Sequence, residues 1–324
     1  MNVVALAGGV GAARFLRGLV RAIPAERLVV IGNTGDDREF YGVHVSPDLD
    51  IVTYTLAGRV DAERGYGLRG DSFGVIEALG AYGHQTWFKL GDRDFATCLH
   101  RTQRLRAGAG LAAVTDEIRR AHGLACRILP MSEDPCPTLV RMPGGARVHF
   151  EEYLVRDGAP NDVEGVDLAA AAAARPAPGV CDAIVAADTI LVCPSNPVVS
   201  IGPILAVPGV REAIAASRAP VVAISPIIGG MPVKGPADRL LRGTGAEVSA
   251  RGVARLYASW CHGFVLDQRD AAQLADVAAL GLAARALETL MRDVAISEAL
   301  ARACLALAQE IRASGRLQMG RGSA

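Results

Sequence analysis

The sequence predicts an α/β fold, a mostly parallel sheet with helices on both faces, interrupted by a largely helical lobe that carries a β-hairpin. Three observations point there. Short apolar runs alternate with stretches of helical spacing, several of those runs end in loops rich in Gly, Pro, Ser and Asn, and one mid-chain segment switches to a period of two. The chain has 324 residues, 51% of them apolar, which is ample for a packed core and excludes a disordered chain.

Asn2 to Ala7 reads as a buried strand, and Ala12 to Ile23 as a helix with Phe15, Leu16, Leu19 and Ile23 on one face. Leu28 to Ile31 is a second strand, ending in Gly32-Asn33-Thr34-Gly35-Asp36-Asp37. Helices are expected over Phe95–Arg106 and Leu111–Ala121. From about 138 to 155 the chain alternates around Pro143-Gly144-Gly145, the pattern of a hairpin. Strands return at Ile190–Cys193 and Val221–Ser225. Beyond Val253 the abundance of Ala leaves Ala283–Leu287 open between helix and strand. Ser297 to Ile311 reads as a helix with Ser297 at its N-cap, and Gly315 to Ala324 as a solvated tail. The expected organisation is a sheet-based core of residues 1–70 and 176–324, with 71–175 as the inserted lobe.

With 34 Lys+Arg against 34 Asp+Glu, no broad electrostatic footprint for nucleic acid exists. No apolar run is long enough to span a bilayer, and the N-terminus lacks a basic leader. Seven cysteines form no CxxC pair, which suits reduced thiols and a cytoplasmic location and disfavours a zinc cluster. Cations are almost all Arg; the two lysines, Lys89 and Lys234, both fall in Gly- or Pro-rich loops. An Arg-favouring genome explains the excess but not those positions, where a compact ammonium could meet phosphate or another ligand oxygen.

Six further features could carry chemistry. Gly8-Gly9-Val10-Gly11 joins a strand to a helix, where main-chain N–H groups bind anions; Arg14 stands where a dinucleotide fingerprint has its third glycine. Asn33 and Asp36 follow the second strand. Asp48 and Asp50 in Ser46-Pro-Asp-Leu-Asp sit at i and i+2, on one side if the segment is extended, a spacing suited to Mg²⁺; the alternative makes Asp48 a helix cap. Trp87-Phe88-Lys89-Leu90-Gly91-Asp92-Arg93-Asp94 could stack on a flat ring and offer Lys89 and Asp92, or could be core with Asp94 as a cap. Two loops after strands, with Ser195, Asn196 and Ser200 in one and Ser225, Pro226, Ile227, Gly229 and Lys234 in the other, add polar groups to the same sheet edge. No G-x-S-x-G elbow, P-loop or kinase set occurs.

Together, Leu6–Arg14, Gly32–Asp37, Ser46–Asp50, Leu90–Asp94, Ser195–Pro203 and Ser225–Pro236 resemble, in order and spacing, the 2-phospho-L-lactate transferase family of deazaflavin coenzyme biosynthesis. The resemblance implies a Rossmann-like fold and transfer of a phospholactyl-type group (lactate, enolpyruvate or glycerate) from a guanosine diphosphate conjugate. The acceptor would be the ribityl hydroxyl of the deazaflavin Fo, with GMP released and Mg²⁺ required. It also implies that Asp50 and Lys89 contact Fo, that Asp48 and Asp50 lie near the metal, and that the Ser195 and Ser225 loops surround the guanosine diphosphate. Such chemistry needs positioning and charge neutralisation, with Lys234 beside the leaving GMP and an aspartate taking the hydroxyl proton. A homodimer is expected. The alternative is a non-catalytic regulator of the same fold that binds nucleotide sugars.

Overall fold

A computed structural model describes residues 1–315; of the expected solvated tail, residues 316–324 lie outside the described residues. Seven strands, β1 (Val3–Ala7), β2 (Leu28–Gly32), β3 (Arg127–Pro130), β4 (Thr189–Val192), β5 (Val221–Ile224), β6 (Gly263–Asp267) and β7 (Ala283–Leu287), form one sheet in the order β7-β6-β5-β4-β1-β2-β3. Every neighbouring pair is parallel. The chain builds outward from β1 to β3, then re-enters at β4 on the other side of β1. The strand order therefore reverses between β1 and β4, and the loops that leave these two strands meet at the carboxyl ends, the edge where open α/β sheets bind ligands.

Alternation along β1 explains why both faces are covered. Val4 and Leu6 enter one apolar layer with Ile204, Val253 and Phe264, while Val3, Ala5 and Ala7 enter the other with Phe15, Leu16 and Leu300. The second layer holds α1 (Gly9–Ala22) and the last helix. Three more helices matter for the site: α2 (Pro47–Leu56), α3 (Asp92–Arg106) and α4 (Leu111–Ala121). The last helix, α5 (Val294–Ala313), starts earlier than the sequence suggests. Its cap is Asp293, whose carboxylate accepts from the Ile296 N–H at 2.9 Å, while the expected cap Ser297 is buried and donates to the Asp293 carbonyl.

Two other expectations are revised. The hairpin pairs Leu139–Arg141 with Arg147–His149, and Gly165–Asp167 joins as a third strand, but the chain then turns into a helical segment, Glu152–Arg156. Phe150 and Tyr153 both bury against Val140 and Leu240, and an i, i+3 spacing puts them on one side only in a helical turn. Strand β3 falls inside the 71–175 segment yet forms the edge of the main sheet, so that segment contains one core strand. A further small hairpin, Arg38–Phe40 with Val43–Val45, packs its apolar side on Ile76, Leu90 and Cys98.

Candidate active site

A cavity of about 520 Å³ opens at the carboxyl edge of the sheet, between the strand-following loops and the helical lobe. On the sheet side, the Gly8 N–H donates to Ser195 Oγ at 3.1 Å and the Gly9 N–H to Asp48 Oδ1 at 2.7 Å. A Cβ on Gly8 would lie 2.6 Å from Asp48 Oδ2, and one on Gly11 would lie 2.4 Å from the Pro194 carbonyl oxygen. Glycine is thus required for close approach, bringing the start of α1, the Pro194 loop and α2 together. Arg14, the departure from the dinucleotide fingerprint, lines the cavity and brings a cation to it.

Asp48 and Asp50 lie in the first turn of α2 behind Ser46, not on an extended segment. A helix rotates i and i+2 apart by about 200°, and the two carboxylates acquire different neighbours. Asp48 accepts from Asn33 Nδ2 at 2.9 Å as well as from Gly9. Asp50 pairs with the guanidinium of Arg101 on α3. Both aspartates line the cavity, and neither caps α2.

Of the residues singled out in the sequence, Gly8, Gly9, Asp36, Asp48, Asp50 and Lys89 line the cavity, as do Ser195, Asn196, Ser200, Ser225, Pro226 and Lys234. Four others stand behind it. Asn33 is buried and ties Asp48 to the Val199 carbonyl. Asp92 accepts from the N–H groups of Gly74 and Val75 and from Ser72 Oγ, which makes it the cap of the helix Gly74–Ala81. Ile227 is core, and the Gly229 N–H donates to Asp270 Oδ2. Asn196 Oδ1 accepts from Val198 N–H at 2.9 Å, stiffening its loop. Lys234 Nζ donates to the Arg64 carbonyl at 3.1 Å.

On the lobe side, Trp87 and Phe88 line the cavity and pack on one another and on Phe40, whose ring stacks on Phe88 at 3.9 Å. The cap of α3 comes from Asp71, which accepts from the N–H groups of Arg93 and Asp94. That leaves the Asp94 side chain facing the cavity, where Oδ1 accepts from Tyr54 OH at 2.7 Å.

The buried acids set the electrostatics. Burial, then the charges of Asp48 and Glu151, push Asp36 well above the carboxylate range. Burial raises Asp48 to about 6 against the hydrogen bonds of Asn33 and Gly9, and raises Glu151, with help from Asp48 and Asp37, to about 8. Asp36 Oδ1 is buried and has no hydrogen-bond partner among the described residues. Three desolvated carboxylates around one cavity, one with an orphaned oxygen, fit a divalent cation with oxygen ligands. By distance, only Asp50, Asp94 and Cys98 among the described residues bring their ligand atoms within 4.8 Å of one another, so Asp36, Asp48 and Glu151 would have to draw closer together to hold an ion.

Sequence reasoning missed Arg101, Glu151 and the exposure of Asp94 to the cavity. A signal existed for two of them: Asp94, Cys98 and Arg101 recur at i, i+4 and i+7, which puts two charges on the inward stripe of α3. Glu151 sat in a segment read as a strand and carried no signal.

A family model described as 2-phospho-L-lactate transferase CofD matches residues 3–292. The chain belongs to this family. A phosphoenolpyruvate transferase of Kitasatospora aureofaciens is 49% identical over 318 residues, covering 96% of this chain and 99% of that one. A 2-phospho-L-lactate transferase of Methanosarcina mazei is 39% identical over 299 residues, covering 92% and 98%. A crystal structure of the UPF0052 family protein BH3568 from Bacillus halodurans superposes with a TM-score of 0.62 over 94% of this chain and 98% of that one, at 20% identity; this likeness concerns the fold alone. At family level the chain is a phosphoenolpyruvate/phospholactate-type transferase of coenzyme F420 biosynthesis, an enzyme rather than a binding regulator. Among the described residues no single helix is long and apolar enough to cross a membrane.

Proposed function

We propose that the chain transfers a phosphoenolpyruvyl group from a guanosine diphosphate-linked donor to the terminal ribityl hydroxyl of Fo, releasing GMP and forming the dehydro form of the coenzyme without glutamate. The observation that carries this reading is a single cavity whose sheet wall offers glycine loops, hydroxyls, the Asn196 amide and the cations Arg14 and Lys234, while its lobe wall offers carboxylates and aromatic rings. Enolpyruvate is favoured over lactate because the relatives of that name are the more similar ones, 49% against 39% identical.

In this reading the acceptor oxygen forms a bond to the phosphorus that carries the acid, and the bond from that phosphorus to the bridging oxygen of GMP breaks. The hydroxyl proton goes to a carboxylate of the lobe wall. Asp94, raised to about 7 by burial and by the charge of Asp50, is matched to that task near neutral pH. Lys234 and the loop N–H groups stabilise charge on the departing GMP. Asp36, Asp48 and Glu151 would hold Mg²⁺, whose charge offsets that of the diphosphate when it is bound. Asp50, already paired with Arg101, belongs to the acceptor side.

The test is transfer itself. Incubated with Fo, Mg²⁺ and either the enolpyruvyl or the lactyl donor, the enzyme should release GMP and yield a product of the corresponding mass, faster with the enolpyruvyl donor. GMP released equally without Fo, or none at all, would contradict the reading.

A further inference from the structure

Arg101 does not line the cavity, but it stands directly behind a residue that does. It is 1% exposed, and both terminal nitrogens of its guanidinium donate to Asp50, Nη1 to Oδ2 at 3.1 Å and Nη2 to Oδ1. Nη1 also donates to the His44 carbonyl at 3.2 Å. Nε is buried without a partner among the described residues, so the pair is an end-on fork. A buried ion pair is a weak source of stability, because desolvation offsets attraction. A fork does, however, fix the direction in which a carboxylate presents its remaining lone pairs.

The same guanidinium decides what the Asp50, Asp94 and Cys98 group can take. Its positive charge already stands among those ligand atoms, and a thiol is a soft ligand for a hard cation such as Mg²⁺. Carboxylates so compensated suit hydroxyl donors.

We propose that Arg101 is a positioning residue for the acceptor: it holds Asp50 in the orientation in which that carboxylate receives a hydroxyl of the acceptor, while touching neither substrate. This rests on the function proposed above.

The experiment measures kcat, KM for Fo, KM for the donor and the activation constant for Mg²⁺ in wild type, Arg101→Lys, Asp50→Asn and Asp50→Asn/Arg101→Lys. Lysine keeps the charge and loses the fork. Arg101→Lys should raise KM for Fo on the order of tenfold, leave donor KM and Mg²⁺ activation unchanged, and have no further effect when Asp50 is already Asn. An equal effect in both backgrounds, or none on KM for Fo, overturns the proposal, and a weakened Mg²⁺ activation overturns it in favour of a cation site. Should Arg101→Lys fail to fold, Asp50→Asn/Arg101→Gln removes both charges together and leaves none unpaired. Its KM for Fo should match that of Asp50→Asn, and a larger value overturns the proposal. A wild type that transfers nothing to Fo overturns the functional reading and this proposal together; an active wild type with additive variants overturns the positioning role alone.

Discussion

On the sheet side of the cavity, main-chain N–H groups, short hydroxyls and glycines that permit close approach make the contacts, whereas on the lobe side charged and aromatic side chains come from helices far apart in sequence. Gly8, Gly9 and Ser195 reach the cavity because parallel strands deliver every following loop to one edge. Asp50, Arg101 and Asp94 meet because side chains of α3 reach the first turn of α2, with 51 positions between the first two. Helix α2 joins the walls, with Asp48 turned to the sheet and Asp50 to the lobe.

That division predicts unequal effects for two chemically identical substitutions. Asp48→Asn should lower kcat on the order of a thousandfold, because it removes charge from the proposed cation site and leaves the N–H contacts of α1 and Asn33 to a neutral oxygen. Asp50→Asn should act ten- to a hundredfold, roughly the loss of one charge-assisted contact, and mainly on KM for Fo. Steady-state kinetics with each substrate varied check both.

The lysines repeat the contrast more weakly, since both are exposed. Lys89→Ala should raise KM for Fo about tenfold, and Lys234→Ala should lower kcat by about as much, because a cation near the breaking bond gains strength as GMP departs. Wild-type parameters in both variants would separate the lysines from the chemistry.

Stability should depend on pH through the acids of the proposed cation site. Glu151 is raised to about 8 from 4.5, and Asp48 to about 6 from 3.8, so the folded chain binds protons that the unfolded chain releases. Their contribution is complete below the unfolded values and is lost as pH rises through the folded ones, so without Mg²⁺ the melting temperature should fall from about pH 4.5 to 8. Glu151→Gln should flatten the slope, and Mg²⁺ should stabilise more as pH rises, because it binds the deprotonated acids. An unchanged slope in the Gln variant would contradict this account of Glu151. The smallest effect belongs to Asp92: as a helix cap outside the cavity, Asp92→Ala should lower the melting temperature slightly and leave kinetic constants alone.

The two walls also differ in how far they can be read from sequence. Strands β1, β2, β4 and β5 announce themselves as apolar runs followed by turn residues, and the loop glycines and serines come with them. β6 and β7 do not, because Ala-rich flanks blur the period, and β3 is only four residues long. Asp48 and Asp50 stand out as a pair, but their separation into different surroundings depends on α2 being helical from Pro47. Arg101 is one arginine in a chain full of them, and only packing against a carboxylate far away in sequence makes it distinct.

The most direct test of the division between walls is a pair of titrations on the two aspartate variants, with GDP plus Mg²⁺ in one cell and Fo in the other. The account predicts a crossed result: Asp48→Asn loses Mg²⁺-dependent GDP binding and keeps Fo binding, while Asp50→Asn keeps the first and loses the second. Loss of both ligands in both variants, or the reverse crossing, would contradict it.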